Sequence, residues 1–302
     1  MGSNLCRKLL EQSENQVICL DNLYTGRKEK ILGLLGHDRF SFVETDVREV
    51  KLDFEVDEIY NAACPASPPA YQKDPVGTTE TCVLGTKNML ELARKYGAKL
   101  VQFSTSEVYG NAQESPQREY YWGNVNPNGP RSCYDEGKRC AESLCFDFVR
   151  QYQTDVKVVR IFNTYGPNMN ADDGRVVSNL IVQALKNEPM TMYGDGSQTR
   201  SFCYVDDLID GLVRVMDLSE EIHGPINLGN PQEISIRDLV QTILRLTESQ
   251  SSVICKPLPV DDPIRRQPDI TRAKQLLQWY PSIGLEEGLR KTISYFQENG
   301  AI

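Results

Sequence analysis

Residues 134–162 read YDEGKRCAESLCFDFVRQYQTDVKVVRIF. Cys140, Leu144, Phe148 and Tyr152 recur every fourth residue, so one face of 134–152 is apolar and the segment is predicted to be a helix. The apolar run VKVVRIF (156–162) that follows reads as a strand. Working outward, KLVQFST (99–105), EIYNAA (58–63), FSFVETD (40–46) and QVICLD (16–21) read as further strands. Between two of them lies 75–97, with Val83, Met89, Leu90 and Ala93 at helical spacing and a stop at Gly97. Strands alternating with helices predict an α/β fold, a doubly wound parallel sheet with right-handed crossovers.

The rhythm changes near residue 165. Turns such as YGDGSQ and LGNPQE, then a cluster of Pro257, Pro259, Pro263 and Pro268, predict a smaller, irregular C-terminal lobe. Two helical patterns follow near 270–278 and 285–297. The expected division is a dinucleotide-binding domain over 1–165 and a substrate lobe over 166–302, with segments of the lobe returning to the first domain. A chain of 302 residues can bury a core without staples. A net charge of −9 argues against nucleic acid or a membrane surface as the main partner. Nine cysteines, an odd number with no CxxC pair, read as reduced thiols of a cytoplasmic protein. Two histidines leave little material for metal or triad chemistry, and no run is long and apolar enough to span a membrane.

Ligands of open α/β sheets sit at the carboxyl ends of the strands. Asp21 ends the first strand, where an acid can accept from an adenosine ribose and repels a 2′-phosphate, favouring NAD over NADP. Asp46 ends the next strand, and Ala62-Ala63 follow the third, leaving room for an adenine and a pyrophosphate. About 20 residues before Asp21 a glycine-rich turn between strand and helix is expected. Only Gly2-Ser3 stand there, where the last glycine would be. The expectation is that this numbering starts inside the domain. About ten residues, one strand and a tight turn, would then be missing, with weaker NAD binding as the result.

Tyr134 and Lys138 form YxxxK, on one face of a helix. An ammonium beside a phenol favours the phenolate, which predicts a Tyr134 base with Lys138 free to hold a ribose hydroxyl. One crossover upstream, Thr105, Ser106 and Glu107 end a strand in STSEVYG and are placed to meet the same ligand.

The segments CPASP, STSEVYG, YWGNVNP, CYDEGKR, RIFNTYGP, DGRVVSN, GSQTRSF, YVDDL and DDPIRRQPDI run in an order that resembles the UDP-glucuronic acid decarboxylases. These are UDP-xylose synthases of the extended short-chain dehydrogenase/reductase superfamily. The resemblance implies a Rossmann-like fold and bound NAD. Its contacts would be Gly2, Asp21, Asn22, Thr25, Asp46, Val47, Ala62, Ala63 and Phe162, with Tyr134 and Lys138. It also implies catalytic roles for Tyr134, Lys138, Thr105, Ser106, Glu107 and Arg266. The UDP-sugar would be met by Ser67, Tyr71, Asn163, Arg175, Val176, Arg200 and Arg266. A homodimer through the helices near 75–97 and 134–152 is implied too.

Residue 106 separates the relatives. Dehydratases carry Asp-Glu where this chain has Ser106-Glu107; a serine suits a sugar that already bears a carboxylate, since two close anions repel. Two departures from the resemblance stand out: Glu80 occupies a position usually held by lysine, and Cys82 one often held by Asn or Ser. Two other readings stay open here: a dTDP-hexose 4,6-dehydratase or other nucleotide-sugar epimerase, and a cofactor-poor binding protein or inactive fragment.

Overall fold

A computed structural model describes residues 1–49, 54–263 and 265–299. In chain order the first part comprises α1 (Gly2–Leu10), β1 (Val17–Asp21), β2 (Phe40–Glu44), β3 (Glu58–Asn61), α2 (Pro68–Lys73), α3 (Pro75–Glu80), α4 (Thr86–Tyr96), β4 (Lys99–Thr105), α5 (Ser132–Tyr152) and β5 (Val156–Ile161). All five expected strands form, and every pair among them is parallel. Among the described residues they fall into two hydrogen-bonded groups, β1–β2 and β3–β4–β5.

β4 is buried from Leu100 to Thr105 because both faces are covered. Leu100 packs with Met89, Leu90 and Ala93 of α4 and with Cys145 and Phe148 of α5. Val101 and Phe103 point the other way, into a cluster with Leu208 and Leu212. The strand period of two thus sorts one sequence between two helical layers.

The predicted helix 75–97 is in fact three pieces. A π-type turn, Thr81–Gly85, separates α3 from α4. Gly85 lies against Val47, where an added Cβ would come within 2.7 Å of Cγ2. The predicted helix 134–152 begins two residues early, at Ser132.

The second part comprises β6 (Thr164–Tyr165), α6 (Val176–Leu185), β7 (Met190–Tyr193), β8 (Thr199–Ser201), β9 (Cys203–Tyr204), α7 (Val205–Met216), β10 (Ile226–Leu228), β11 (Glu233–Ser235), α8 (Ile236–Thr247), β12 (Val253–Lys256), β13 (Arg265–Arg266), α9 (Thr271–Leu277) and α10 (Leu285–Glu298). The sequence reading had no strand at β10, which joins the sheet beside β5 in parallel. α7 covers the sheet face opposite α4 and α5. Trp279 is buried against it and donates from Nε1 to the carbonyl of Asp207 at 2.9 Å. β8 is central to a small sheet with β11 antiparallel and β13 parallel, in a register that sets Arg266 beside Arg200.

Gly97 ends α4 with φ +69°, and a Cβ there would meet nothing within 4 Å. Its requirement is therefore one of backbone conformation alone. Gly97→Ala should cost about 1–2 kcal/mol, the penalty of a left-handed L-residue. The expected readout is a lower urea midpoint with an unchanged slope.

Candidate active site

β4 delivers the site. Thr105 leaves the strand in extended conformation, and its Oγ1 accepts the N–H of Glu107 at 3.2 Å, capping a 3-10 turn over Ser106–Tyr109. Gly110 closes that turn with φ +58°; a Cβ there would sit 2.1 Å from the Asn124 carbonyl oxygen. The chain then returns through α5, whose first residues face the end of β4. Tyr134 and Lys138 lie one turn apart on it, as the spacing predicts.

Tyr134 is buried, and its ring stacks on that of Tyr71 at 5.1 Å between centroids and 3° between planes. Lys138 Nζ lies 5.9 Å from the phenol ring centroid and donates to the Phe103 carbonyl at 2.8 Å. The expectation that Lys138 pulls the Tyr134 phenol down is not met in this arrangement. Burial pushes that phenol well above its ordinary value, thiols at Cys64 and Cys82 add to the rise, and a hydrogen bond with Thr105 only partly opposes it.

Beside the tyrosines lies a charge cluster. Glu107 Oε2 accepts from Arg131 Nη2 at 2.5 Å and from Arg266 Nη2 at 3.3 Å. Arg266 is only 1% exposed, and its Nη1 donates to the Ser106 carbonyl at 2.6 Å. Arg200 Nη2 lies 2.8 Å from Asp262, whose other oxygen is 3.5 Å from Arg131. Burial alone would raise the Glu107 carboxyl, but the charges of Arg266 and Arg131 outweigh it and hold it at about 2. Asp135 goes the other way. Burial, then the Glu107 charge, pushes it up to about 7 against the pull of Arg131. Arg265 pairs with Glu233, so of the two adjacent arginines only Arg266 joins the charge cluster at Glu107.

The expected residues gather in two places. Around Tyr134 come Thr105, Ser106, Glu107, Lys138, Tyr71, Arg200 and Arg266. Ser67 begins α2, with its carbonyl taken by the N–H groups of Ala70 and Tyr71. Gly174 closes on Pro69 of α2, so Arg175 and Val176, which open α6, lie against the same edge. The Arg175 charge reaches Tyr134. Asn163 gives its carbonyl to the N–H of Cys203. Phe162 packs on Tyr109.

The second group sits at the ends of β1 and β2. Asp21 Oδ1 accepts the N–H of Leu23 at 2.7 Å, and Gly26 approaches its carboxylate so closely that a Cβ would come within 2.8 Å. Asn22 donates to Asp46 at 2.9 Å. Asp46 is held at about 2, chiefly by hydrogen bonds from Arg48. Arg48 also reaches Glu80 at 3.0 Å, so Glu80 is part of this cluster. Val47 is buried under Gly85, and its carbonyl accepts from Asn88. The Thr25 carbonyl accepts from Asn170, and the end of α1 carrying Gly2 is tied through Asn4 to Pro167. Ala62 and Ala63 lie between the two groups, directly after β3.

Arg131, Asp135 and Asp262 were missed in the sequence. Arg131 stands one helical turn before Tyr134, which was a readable signal. Asp262 lies in a proline-rich loop, and only the tertiary fold brings it in.

The arrangement fits NAD. The line of strand ends offers an acid at Asp21, small residues at Ala62-Ala63 and a Tyr–Lys pair. Buried polar atoms with no hydrogen-bond partner cluster nearby: Tyr71 Oη, Asp135 Oδ1, Arg131 Nε and Arg266 Nε.

Comparison with known proteins agrees. The sequence model of the NAD dependent epimerase/dehydratase family matches residues 1–229. UDP-glucuronic acid decarboxylase 5 of Arabidopsis thaliana is 52% identical over 289 residues, covering 96% of this chain and 84% of that one. UDP-glucuronic acid decarboxylase 1 of Danio rerio is 51% identical over 296 residues, covering 98% and 70%. Among solved structures, the Bacillus cereus UDP-glucuronic acid 4-epimerase, in complex with UDP-glucuronic acid and NAD, superposes with a TM-score of 0.88 at 28% identity, covering 99% and 96%. The Streptomyces venezuelae dTDP-glucose 4,6-dehydratase DesIV, with NAD bound, gives 0.90 at 26%, covering 99% and 94%. The chain belongs to the NAD dependent epimerase/dehydratase family and, within it, to the UDP-glucuronic acid decarboxylases.

Glu107→Gln leaves Arg266 buried without its anion and strips Arg131 of its nearest one, and should cost about 3 kcal/mol at pH 7. The Glu107 carboxyl is depressed in the fold, so its stabilisation is complete above an ordinary value of about 4.5 and is lost as pH falls toward 2. The stability gap between the two proteins should therefore shrink across that window in urea titrations run at successive pH values.

Proposed function

We propose that the chain converts UDP-glucuronate to UDP-xylose with loss of CO₂, and that the Arg131–Glu107–Arg266 cluster beside Tyr134 is what fits it to that substrate. Glu107 is one anion between two arginines, with Arg200 and Asp262 alongside, so the cluster carries an excess of positive charge suited to a sugar carboxylate or a diphosphate. Ser106 supports the same choice, since a second acid there would repel the substrate's own carboxylate.

Asp21 and the loop around it, Ala62-Ala63 and Lys138 would hold NAD, which when bound would supply reversible hydride transfer at the sugar C4. Tyr134 takes the proton of the 4-hydroxyl, with Thr105 fixing the phenol. Because burial holds the phenol protonated, its activation needs positive charge. Lys138 is the cation at hand once its Nζ turns from the Phe103 carbonyl toward the phenol and a ribose hydroxyl. The resulting 4-keto sugar acid is a β-keto acid, which loses CO₂ with the ketone taking the electron pair. Glu107 or Arg266 then assists proton return at C5, and Tyr134 gives the proton back to the 4-oxygen. Ser67, Tyr71, Asn163, Arg175, Val176 and Arg200 hold the nucleotide-sugar.

The partner surface follows from α3, α4 and α5. Val76 is 69% exposed and Leu84 45%, and Tyr152 is exposed at the end of α5. These apolar side chains support a homodimer packed through the three helices. Nine unbridged thiols favour a reducing, cytoplasmic setting. Among the described residues no helix is long and apolar enough to cross a membrane.

Incubation with UDP-glucuronate and NAD should release CO₂ and UDP-xylose, and Tyr134→Phe should lower kcat by about 10²–10⁴-fold with NAD affinity nearly unchanged. Turnover of dTDP-glucose in place of UDP-glucuronate would overturn the assignment in favour of a 4,6-dehydratase. Sedimentation equilibrium should give twice the chain mass, shifted toward the monomer by Val76→Glu with Leu84→Glu.

A further inference from the structure

Two thiols that the reaction does not use meet beside Tyr134. Cys64 follows Ala62-Ala63 on the loop after β3. Cys82 lies in the π-type turn between α3 and α4. Their sulfurs are 3.3 Å apart, which is 1.3 Å or so beyond a disulfide bond. Cys82 is 1% exposed and pinned: an added Cβ on Gly137 of α5 would come within 3.0 Å of its Cβ and 3.1 Å of its sulfur. Cys64 is only half-buried and sits on a loop, with its sulfur 3.3 Å from the Pro65 carbonyl.

The pair is electrostatically uneven. A hydrogen bond from Cys64 brings Cys82 down to about 7, and the Lys138 charge helps; the same hydrogen bond pushes Cys64 up. A lowered thiol with a second sulfur already in contact is the condition that favours oxidation; Cys6 and Cys19 form a second uneven pair, with Cys19 the lowered member, but away from Tyr134 and Lys138. Among the other cysteines, Cys140 and Cys255 are more exposed. Exposure and pairing thus make opposite predictions about where an oxidant acts first.

We propose that Cys64 and Cys82 form a peroxide-reactive dithiol, whose closure to a disulfide reversibly switches off the site. The thiolate attacks a hydroperoxide oxygen and becomes a sulfenic acid, releasing the alcohol, or water from hydrogen peroxide. The neighbouring thiol sulfur then displaces water from the sulfenic sulfur. In sum, two thiols and one peroxide give one disulfide and two waters, with two electrons passing to the peroxide. Since Gly137 and α5 hold Cys82 in place, the gap closes by moving Cys64. That drags Ala62, Ala63 and the chain toward Ser67 out of position, next to the Tyr134 and Lys138 side chains. Part of the loss rests on the function proposed above, whereas the cross-link itself does not.

The test treats the full chain with stoichiometric hydrogen peroxide. The expected result is loss of two thiols, a mass lower by two hydrogens, and a cross-link between the tryptic peptides on either side of Lys73. NAD affinity and turnover should fall at least tenfold and return with dithiothreitol. Cys82→Ser should keep both under peroxide, and a Cys140→Ser, Cys255→Ser protein should behave as the parent does. Oxidation confined to Cys140 and Cys255, or a cross-link of Cys6 to Cys19 in place of this one, would overturn the site. A cross-link that leaves NAD affinity intact would overturn the switch, and a chain without turnover that still forms the cross-link would bear against the function alone.

Discussion

Arg266 is a guanidinium with almost no contact with water, and most of the site's arrangement follows from that constraint. A buried cation must find anions and carbonyls or leave the interior. It finds the Ser106 carbonyl and the Glu107 carboxylate, both supplied by the turn that leaves β4. Arg266 itself arrives on β13, paired in register with Arg200 on β8. One ion pair thus joins the end of the parallel sheet to the small sheet of the second part, across 159 residues of chain. The same carboxylate is shared with Arg131 at the start of α5. Glu107 therefore fixes three elements at once, and Tyr134 lies one turn from Arg131.

The parallel core was legible because each strand carries its burial pattern in a few consecutive residues. Leu100 and Val101 go to opposite layers, and a period of two is visible without knowing what covers them. YxxxK was legible for the same reason, since one helical turn is a local distance. β10 escaped because three residues, Ile226–Leu228, are too short a run to outweigh the turns around them. The π-type turn escaped because its cause, Val47 beneath Gly85, lies far away in sequence. Asp262 is the clearest limit. It becomes part of the site only when a loop folds across onto Arg131 and Arg200, and no spacing in the chain encodes that distance.

Electrostatic readings transferred least well. Beside Lys138 the Tyr134 phenol looks activated on paper, yet the lysine spends its charge on the Phe103 carbonyl and burial dominates. Asp46 looked like a ligand-facing acid, yet it is tightly held by Arg48, which Glu80 holds in turn. In both cases the sequence identifies the ionisable groups correctly, while the partner that sets their state is a backbone carbonyl or an arginine chosen by the fold. Glu80 shows the gain from having both. The acid that the family resemblance marks as a departure belongs to an ion-pair chain tying the end of β2 to α3.

The five residues Thr81–Gly85 act as a phase shifter. An α-helix advances about 100° per residue, so a turn carrying an extra residue rotates everything before it relative to everything after. α3 therefore shows Thr79 to α5, where its Oγ1 donates to the Cys133 carbonyl and its Cα faces Gly137, while α4 turns Met89, Leu90 and Ala93 toward the sheet. The shift also sets where residue 82 points, so the proximity of its sulfur to Cys64 is a property of helix phase as much as of the cysteine itself.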